Sequence, residues 1–204
     1  MNRLVSRLTA GAMFALFGLA VPTAARAVTI TIFTDRTAWE AALGAATIQT
    51  EDFSDGIFND GSVASNAGSI SGGQWTDVID TSPVKTTQWS FNSPLTAWGA
   101  DWNLDFGNVN LHNQGINLFI QNGGSIGVPS FPTLHDDYEG FFGFISDTPF
   151  SDVIVFPGPG GGVNEIYHMD DMSFVAAVPE PSGLILLGLG FGALALLRKG
   201  RRED

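Results

Sequence analysis

Between Thr29 and Val175 the chain holds a single helix-length pattern, and its other apolar runs are short and fenced by Gly, Pro, Asn, Asp or Ser. Thr29 to Phe33 alternates Thr with Ile or Phe and reads as a first strand. Thr34 and Asp35 then offer capping side chains, Trp39, Ala42 and Leu43 fall on one side, and Gly44 stops the pattern, which predicts a short helix. After it come β-prone runs at Ile48–Phe53, Gln74–Ile79, Lys85–Phe91, Thr96–Trp102, Gly115–Gln121, Gly140–Ile145, Asp152–Phe156 and Glu165–Val175. Many short strands without a second helix predict an all-β fold: an antiparallel two-sheet sandwich, jelly-roll-like, with one short N-terminal helix. An immunoglobulin-like strand order fits the same pattern.

The two ends do not belong to that fold. Arg3 and Arg7 precede an apolar run from Leu8 to Ala20, and Ala25-Arg26-Ala27 closes a stretch of small residues. That arrangement predicts a signal peptide over residues 1–27, cleaved after Ala27, with Ala25 and Ala27 as the small residues of the cleavage site. At the other end, Val178-Pro179-Glu180-Pro181 is held extended by its prolines. An uncharged run from Gly183 to Leu197 follows, then the cations Arg198, Lys199, Arg201 and Arg202. Its 15 residues are short against the roughly 20 of a typical spanning helix, but the basic end predicts a membrane stop with the body on the far side. One domain of 150 residues, Val28 to Ala177, remains to fold, which is enough for a real core.

That body carries two cations, Arg36 and Lys85, against eighteen acidic residues, a formal charge of −16. Nothing in it neutralises phosphates, so nucleic acid is excluded as a partner. The chain has no cysteine, although an exported compartment permits disulfides, so stability must come from the core, with a bound metal as the one further source.

The tail resembles the PEP-CTERM sorting signal of Gram-negative bacteria that make extracellular polysaccharide, with Pro179-Glu180-Pro181 as its signature. The resemblance implies an exosortase partner that recognises the tripeptide, transient anchoring in the inner membrane with the body in the periplasm, and a final place at the cell surface or in the extracellular matrix. The body is similar, more loosely, to carbohydrate-binding jelly rolls. The similarity runs through Trp39, Glu51-Asp52-Phe53, Trp98-Gly99-Ala100-Asp101-Trp102, Phe142-Gly143-Phe144-Ile145-Ser146 and His168-Met169-Asp170-Asp171-Met172-Ser173-Phe174.

Three candidate sites follow. Asp170 and Asp171 interrupt an apolar last strand, where alternation should turn one of them inward, and a buried carboxylate needs a partner. Glu51 sits on an early strand that could lie alongside, so a structural Ca²⁺ held by Glu51, Asp170 and Asp171 is one solution, with solvated or backbone-bonded acids as the other. The resemblance points to the same place, since lectin-like jelly rolls often join first and last strands with a calcium. Trp98 and Trp102 share a strand face and read as core, with Asp101 facing the other way, whereas Trp75 and Trp89 lie in more polar runs and are expected to be exposed, as platforms for sugar rings. His135-Asp136-Asp137-Tyr138-Glu139 reads as a solvated acidic loop, with zinc binding the sharper alternative and no defensible ligand spacing behind it.

No nucleophile elbow or triad is present, and eighteen acids guarantee chance carboxylate pairs, so no catalytic residue is assigned. The expectation is an exported, non-enzymatic protein of the envelope or exopolysaccharide matrix that binds glycan, with extracellular polysaccharide as its partner, or acts as a matrix component. A structural or adhesive protein without sugar recognition is the second reading, and a polysaccharide hydrolase or lyase the third.

Overall fold

A computed structural model describes residues 28–104, 115–122, 125–127, 134–135, 137–159 and 164–178. Strand β1 (Ile30–Phe33) leads into helix α1 (Arg36–Leu43), and β2 (Gln49–Glu51), a 3₁₀ turn at Asn59–Gly61, β3 (Val63–Ser65), β4 (Ser69–Ser71), β5 (Gln74–Thr81) and β6 (Val84–Lys85) follow. The long strands are β7 (Thr87–Asn103), β10 (Glu139–Pro157) and β11 (Asn164–Ala176), with β8 (Ile116–Asn122) and β9 (Ser125–Gly127) between the first two. The helix starts and stops as its sequence predicts: Asp35 Oδ1 accepts from Ala38 N at 2.7 Å, and Gly44 closes it at φ 62°.

All pairings are antiparallel. In one sheet the second half of β7 lies between the first half of β10 and β11, with β1 beyond β10 and β2 and β5 beyond β11. In the other, the first half of β7 lies between β3 and the second half of β10, which continues into β8 and β9. The two sheets are therefore one ribbon folded over, because β7 and β10 pass from one to the other. Each was expected as two strands, Lys85–Phe91 with Thr96–Trp102 and Gly140–Ile145 with Asp152–Phe156. Instead the backbone stays extended through both, and the register between them slips from Ile145↔Ala97 to Phe150↔Leu95. Proline at a bend costs no ladder bond where the strand is already leaving one partner for another.

The halves close on an aromatic core. Trp98, Trp102, Phe142, Phe144, Tyr167 and Met169 from one sheet meet Trp89, Leu118, Val153 and Val155 from the other in a single buried cluster. Phe144 and Phe150 lie 5.3 Å apart across the fold-over, and Trp102 and Tyr167 5.5 Å. The architecture is thus the expected jelly-roll-like sandwich. Outside the first sheet, α1 lays Trp39 on Ala97, Phe141 and Val175. Close approach there needs glycine, since a Cβ on Gly99 would stand 2.7 Å from the Phe141 ring and 2.9 Å from the Gly143 Cα.

Among the described residues no helix is long and apolar enough to cross a membrane. Ala25, Ala27, Pro179, Glu180, Pro181, Arg198, Lys199, Arg201 and Arg202 lie outside the described residues, as does the apolar run 183–197. Of the sorting motif, Val178 alone falls within them, and it is 85% exposed.

Candidate functional site

Register alone builds a polar surface on the outer face of the first sheet. His168 of β11 stands opposite Thr76 of β5 on one side and Asn103 of β7 on the other, and Asn103 stands opposite Glu139 of β10. One rank away, Asp170 faces Asp101, which faces Phe141. Cross-strand partners share a face, so this patch is the mirror of the Trp98–Trp102 core face. With Gln74 at the start of β5 it lines a groove of about 270 Å³. At strand spacings of about 4.8 Å, four strands span roughly 14 Å.

The groove is rich in acceptors. Asn103 Oδ1 is a buried acceptor with no hydrogen-bond partner, and Glu139 is exposed. His168 is buried and its Nδ1 lies 2.9 Å from Thr76 Oγ1. Burial lowers the His168 pKa. Asp170 is pushed up, first by desolvation and then by the neighbouring charges of Asp171, Asp101 and Asp52. These carboxylates, amides and imidazole can exchange hydrogen bonds with hydroxyl groups.

The expected calcium ligands are not brought together. Glu51 stands opposite Met172, which is fully buried, and turns inward, where its two oxygens accept from Phe53 N (2.8 Å) and Asn59 N (2.5 Å). Asp171 is exposed and Asp170 half-buried, so neither is the inward carboxylate that alternation predicted. The reason is a bulge: the register slips between Asp170↔Asp101 and Ser173↔Gly99, Asp171 adopts φ 45°, and Met169 and Met172 both point inward around the two acids. Among the described residues there is no group of three or more His, Asp or Glu side chains placed to hold a metal.

A cation does stand at the β11 bulge, and it is Arg36 of α1. Its guanidinium donates to the Asp171 carbonyl (2.9 Å) and Ser173 Oγ (3.0 Å), pairs with Asp101 at 3.1 Å, and lies 4.7 Å over the Phe141 ring. The other cation of the body, Lys85, pairs with buried Asp77 at 2.9 Å; Thr87 donates to the second Asp77 oxygen and accepts from the Tyr167 hydroxyl at 2.8 Å. The sequence held both cations but no sign of which acids they would serve. It also gave no sign of Glu165, a fully buried carboxylate that accepts from Gly115 N at 2.9 Å.

The tryptophan expectation is corrected for two of four. Trp98 and Trp102 are core, as predicted. Trp75 and Trp89 are 3% and 0% exposed and pack on each other at 4.6 Å, so neither presents a face to a sugar. Their polar neighbours Gln74, Thr76, Gln88 and Ser90 are the outward residues of strands whose inward ones these are. Trp75 offers an edge to a second depression of about 440 Å³, lined also by Ile57, Phe58 and Ile70. Of the acidic loop, His135 and Asp137 are exposed, Asp136 lies outside the described residues, and Glu139 joins the groove.

No curated protein matches the sequence. Among solved structures, the chain is similar to a family 29 carbohydrate-binding module from Piromyces equi, at 10% identity and TM-score 0.45, over 65% of this chain and 92% of that one. It is similar to a variant of another family 29 module studied for ligand recognition, at 13% identity and TM-score 0.46, over 67% and 100%. A third is the family 32 module of C. perfringens NanJ in complex with galactose, at 9% identity and TM-score 0.36, over 60% and 98%. Residues 177–202 match the PEP-CTERM protein-sorting motif, which implies export and membrane-anchored transit before exosortase cleavage.

Proposed function

We propose that this chain is an exosortase-sorted protein of a Gram-negative cell envelope or exopolysaccharide matrix, and that its sandwich is a binding module rather than an enzyme. The observation that carries the reading is the sorting motif at residues 177–202, which supplies the address. The groove supplies the ligand class. Glu139, Asp101, Asp170, Asn103, Gln74 and His168 offer hydrogen bonds to hydroxyl groups. A body with eighteen acids and two cations repels polyanions, so the ligand is a neutral polysaccharide. Binding rests on hydrogen bonds rather than on aromatic stacking, since all five tryptophans are buried.

That burial also favours a second reading, a structural or adhesive matrix protein that recognises no sugar. Screening the secreted chain against neutral and uronic-acid polysaccharides separates the two. Binding to neutral glycans that Asn103→Ala and Glu139→Ala weaken without lowering the melting temperature supports the glycan module. A folded protein that binds none of them leaves the structural reading.

A further inference from the structure

We infer that, while its sorting segment is anchored, the body stands end-on to the membrane on the folded-over edge of the sandwich, with the groove turned away. The inference rests on the membrane-anchored transit that the sorting motif implies.

Both ends of the body leave from that edge. Thr29 N donates to Asp147 Oδ1 at 2.9 Å and Asp147 N to Thr29 O at 3.1 Å, which fixes the N-terminal end at the β10 bend. Ala177 N donates to Pro94 O at 2.7 Å, which fixes the C-terminal end at the β7 bend. The two bends are neighbours, since Phe150 pairs with Leu95 and Leu95 with Ala176.

The tether is short. From Ala177 to Gly183, where the apolar run begins, is six residues, about 20 Å if fully extended. In the other direction, His168 lies eight residues up β11 from Ala176, about 26 Å at some 3.3 Å per residue, and Asn164 about 40 Å. Asp80 pairs with Asn164 and with Lys85, so the β5–β6 turn and the groove lie toward the opposite end.

Charge points the same way. The segments meeting at the folded-over edge are 28–30, 59–62, 92–95, 146–149 and 174–178, the second because Asn92 N donates to Ser62 O and Asn92 Nδ2 to Gly61 O, and their charged residues are Asp60 and Asp147. Asp147 Oδ1 also accepts from Thr29 N and Thr148 Oγ1. Glu139, Asp137, Asp101, Asp170 and Asp80 all lie in the other half of the first sheet or beyond it. A body of charge −16 therefore offers anionic headgroups an edge with two of its eighteen acids, where like charges repel little.

The chain has no cysteine, so single cysteines carry a fluorophore without background. The chain with its sorting segment intact is reconstituted in vesicles whose headgroups bear a nitroxide quencher. One variant carries the fluorophore at Ser93→Cys, on the folded-over edge, and the other at Val84→Cys, 67% exposed at the start of β6 beside the β5–β6 turn. We expect loss of fluorescence at Ser93→Cys and none at Val84→Cys, with Pro149→Cys repeating the Ser93 result should that variant misfold. Equal quenching, or stronger quenching at Val84→Cys, overturns the orientation. Carbonate extraction of the same vesicles separates the failures: a chain that washes off refutes the anchor itself, whereas one that stays but quenches equally refutes only the orientation.

Discussion

Arg36→Met tests whether the docking of α1 on the β11 bulge is held by a side chain. The guanidinium donates two charge-assisted hydrogen bonds, to Ser173 Oγ and the Asp171 carbonyl, and such bonds contribute about 1.5–3 kcal/mol each. Its ion pair with Asp101 joins side chains 25% and 42% exposed, so screening limits it to roughly 0–1 kcal/mol. The stacking on Phe141 adds about 0.5–1 kcal/mol. Against these stands up to about 2 kcal/mol of side-chain entropy that Met recovers only in part. With the Asp171 bond exposed, the low end of each range applies, and the net expected loss is about 3 kcal/mol, or roughly 6–12 °C in Tm for a domain of this size. Arg36→Lys keeps the charge without the planar fork and should fall between the two. Thermal melts of wild type and both variants, each with excess Ca²⁺ and with a chelator, are the assay. A Met variant that loses less than about 1 kcal/mol refutes the reasoning. A wild type whose Tm falls on chelation also refutes it, because a metal would then share the work assigned to Arg36.

Three further outcomes follow from the same geometry. Gly99→Ala places a methyl 2.7 Å from the Phe141 ring and 2.9 Å from the Gly143 backbone; overpacking there should cost roughly 1–3 kcal/mol in denaturant titration. Lys85→Met removes the half-exposed cation beside buried Asp77, to which Thr87 and Val78 N still donate, and should cost roughly 1–3 kcal/mol. Asp170 has its pKa raised in the folded state, so the folded protein binds this proton more tightly than the unfolded chain does, and the destabilisation appears as pH rises through the folded pKa. Asp170→Asn should therefore raise Tm at pH 7 and leave it unchanged at pH 3, and a variant with the same gain at both pH values would contradict the assignment.

Much of the fold was legible because its signals are local. Alternation at Thr29–Phe33, the Asp35 cap and Gly44 stop, and the apolar runs of β8 and β11 each announce an element within a few residues. What the sequence hid is tertiary. Pro94 and Pro149 look like breaks, yet they mark where two long strands change sheets. The short strands β3, β4, β6 and β9 carry too few residues for a period to show and exist by pairing with β7, β5 and β8. The groove was hidden for a different reason. Its residues come from four strands, and only register sets His168 beside Asn103 and Asn103 beside Glu139, though each was visible alone as a polar residue on a half-buried strand.

The error over Trp75 and Trp89 has a physical lesson. Polar neighbours suggested exposure, but a strand with one wet face must alternate, and the largest apolar residue in a polar run is the one the core takes. A cysteine-free exported domain has no disulfide to restrict its unfolded state, so it depends on buried area, and indoles supply the most per residue. Trp39, Trp75, Trp89, Trp98 and Trp102 are all committed in this way. The recognition proposed above would fall to the opposite face of the strands that carry Trp75 and Trp102, where Gln74, Thr76, Asp101 and Asn103 alternate with the core residues. On that proposal, stability and binding occupy two faces of the same strands, and a substitution at Asn103 or Glu139 should alter ligand contacts while leaving the aromatic core beneath it intact.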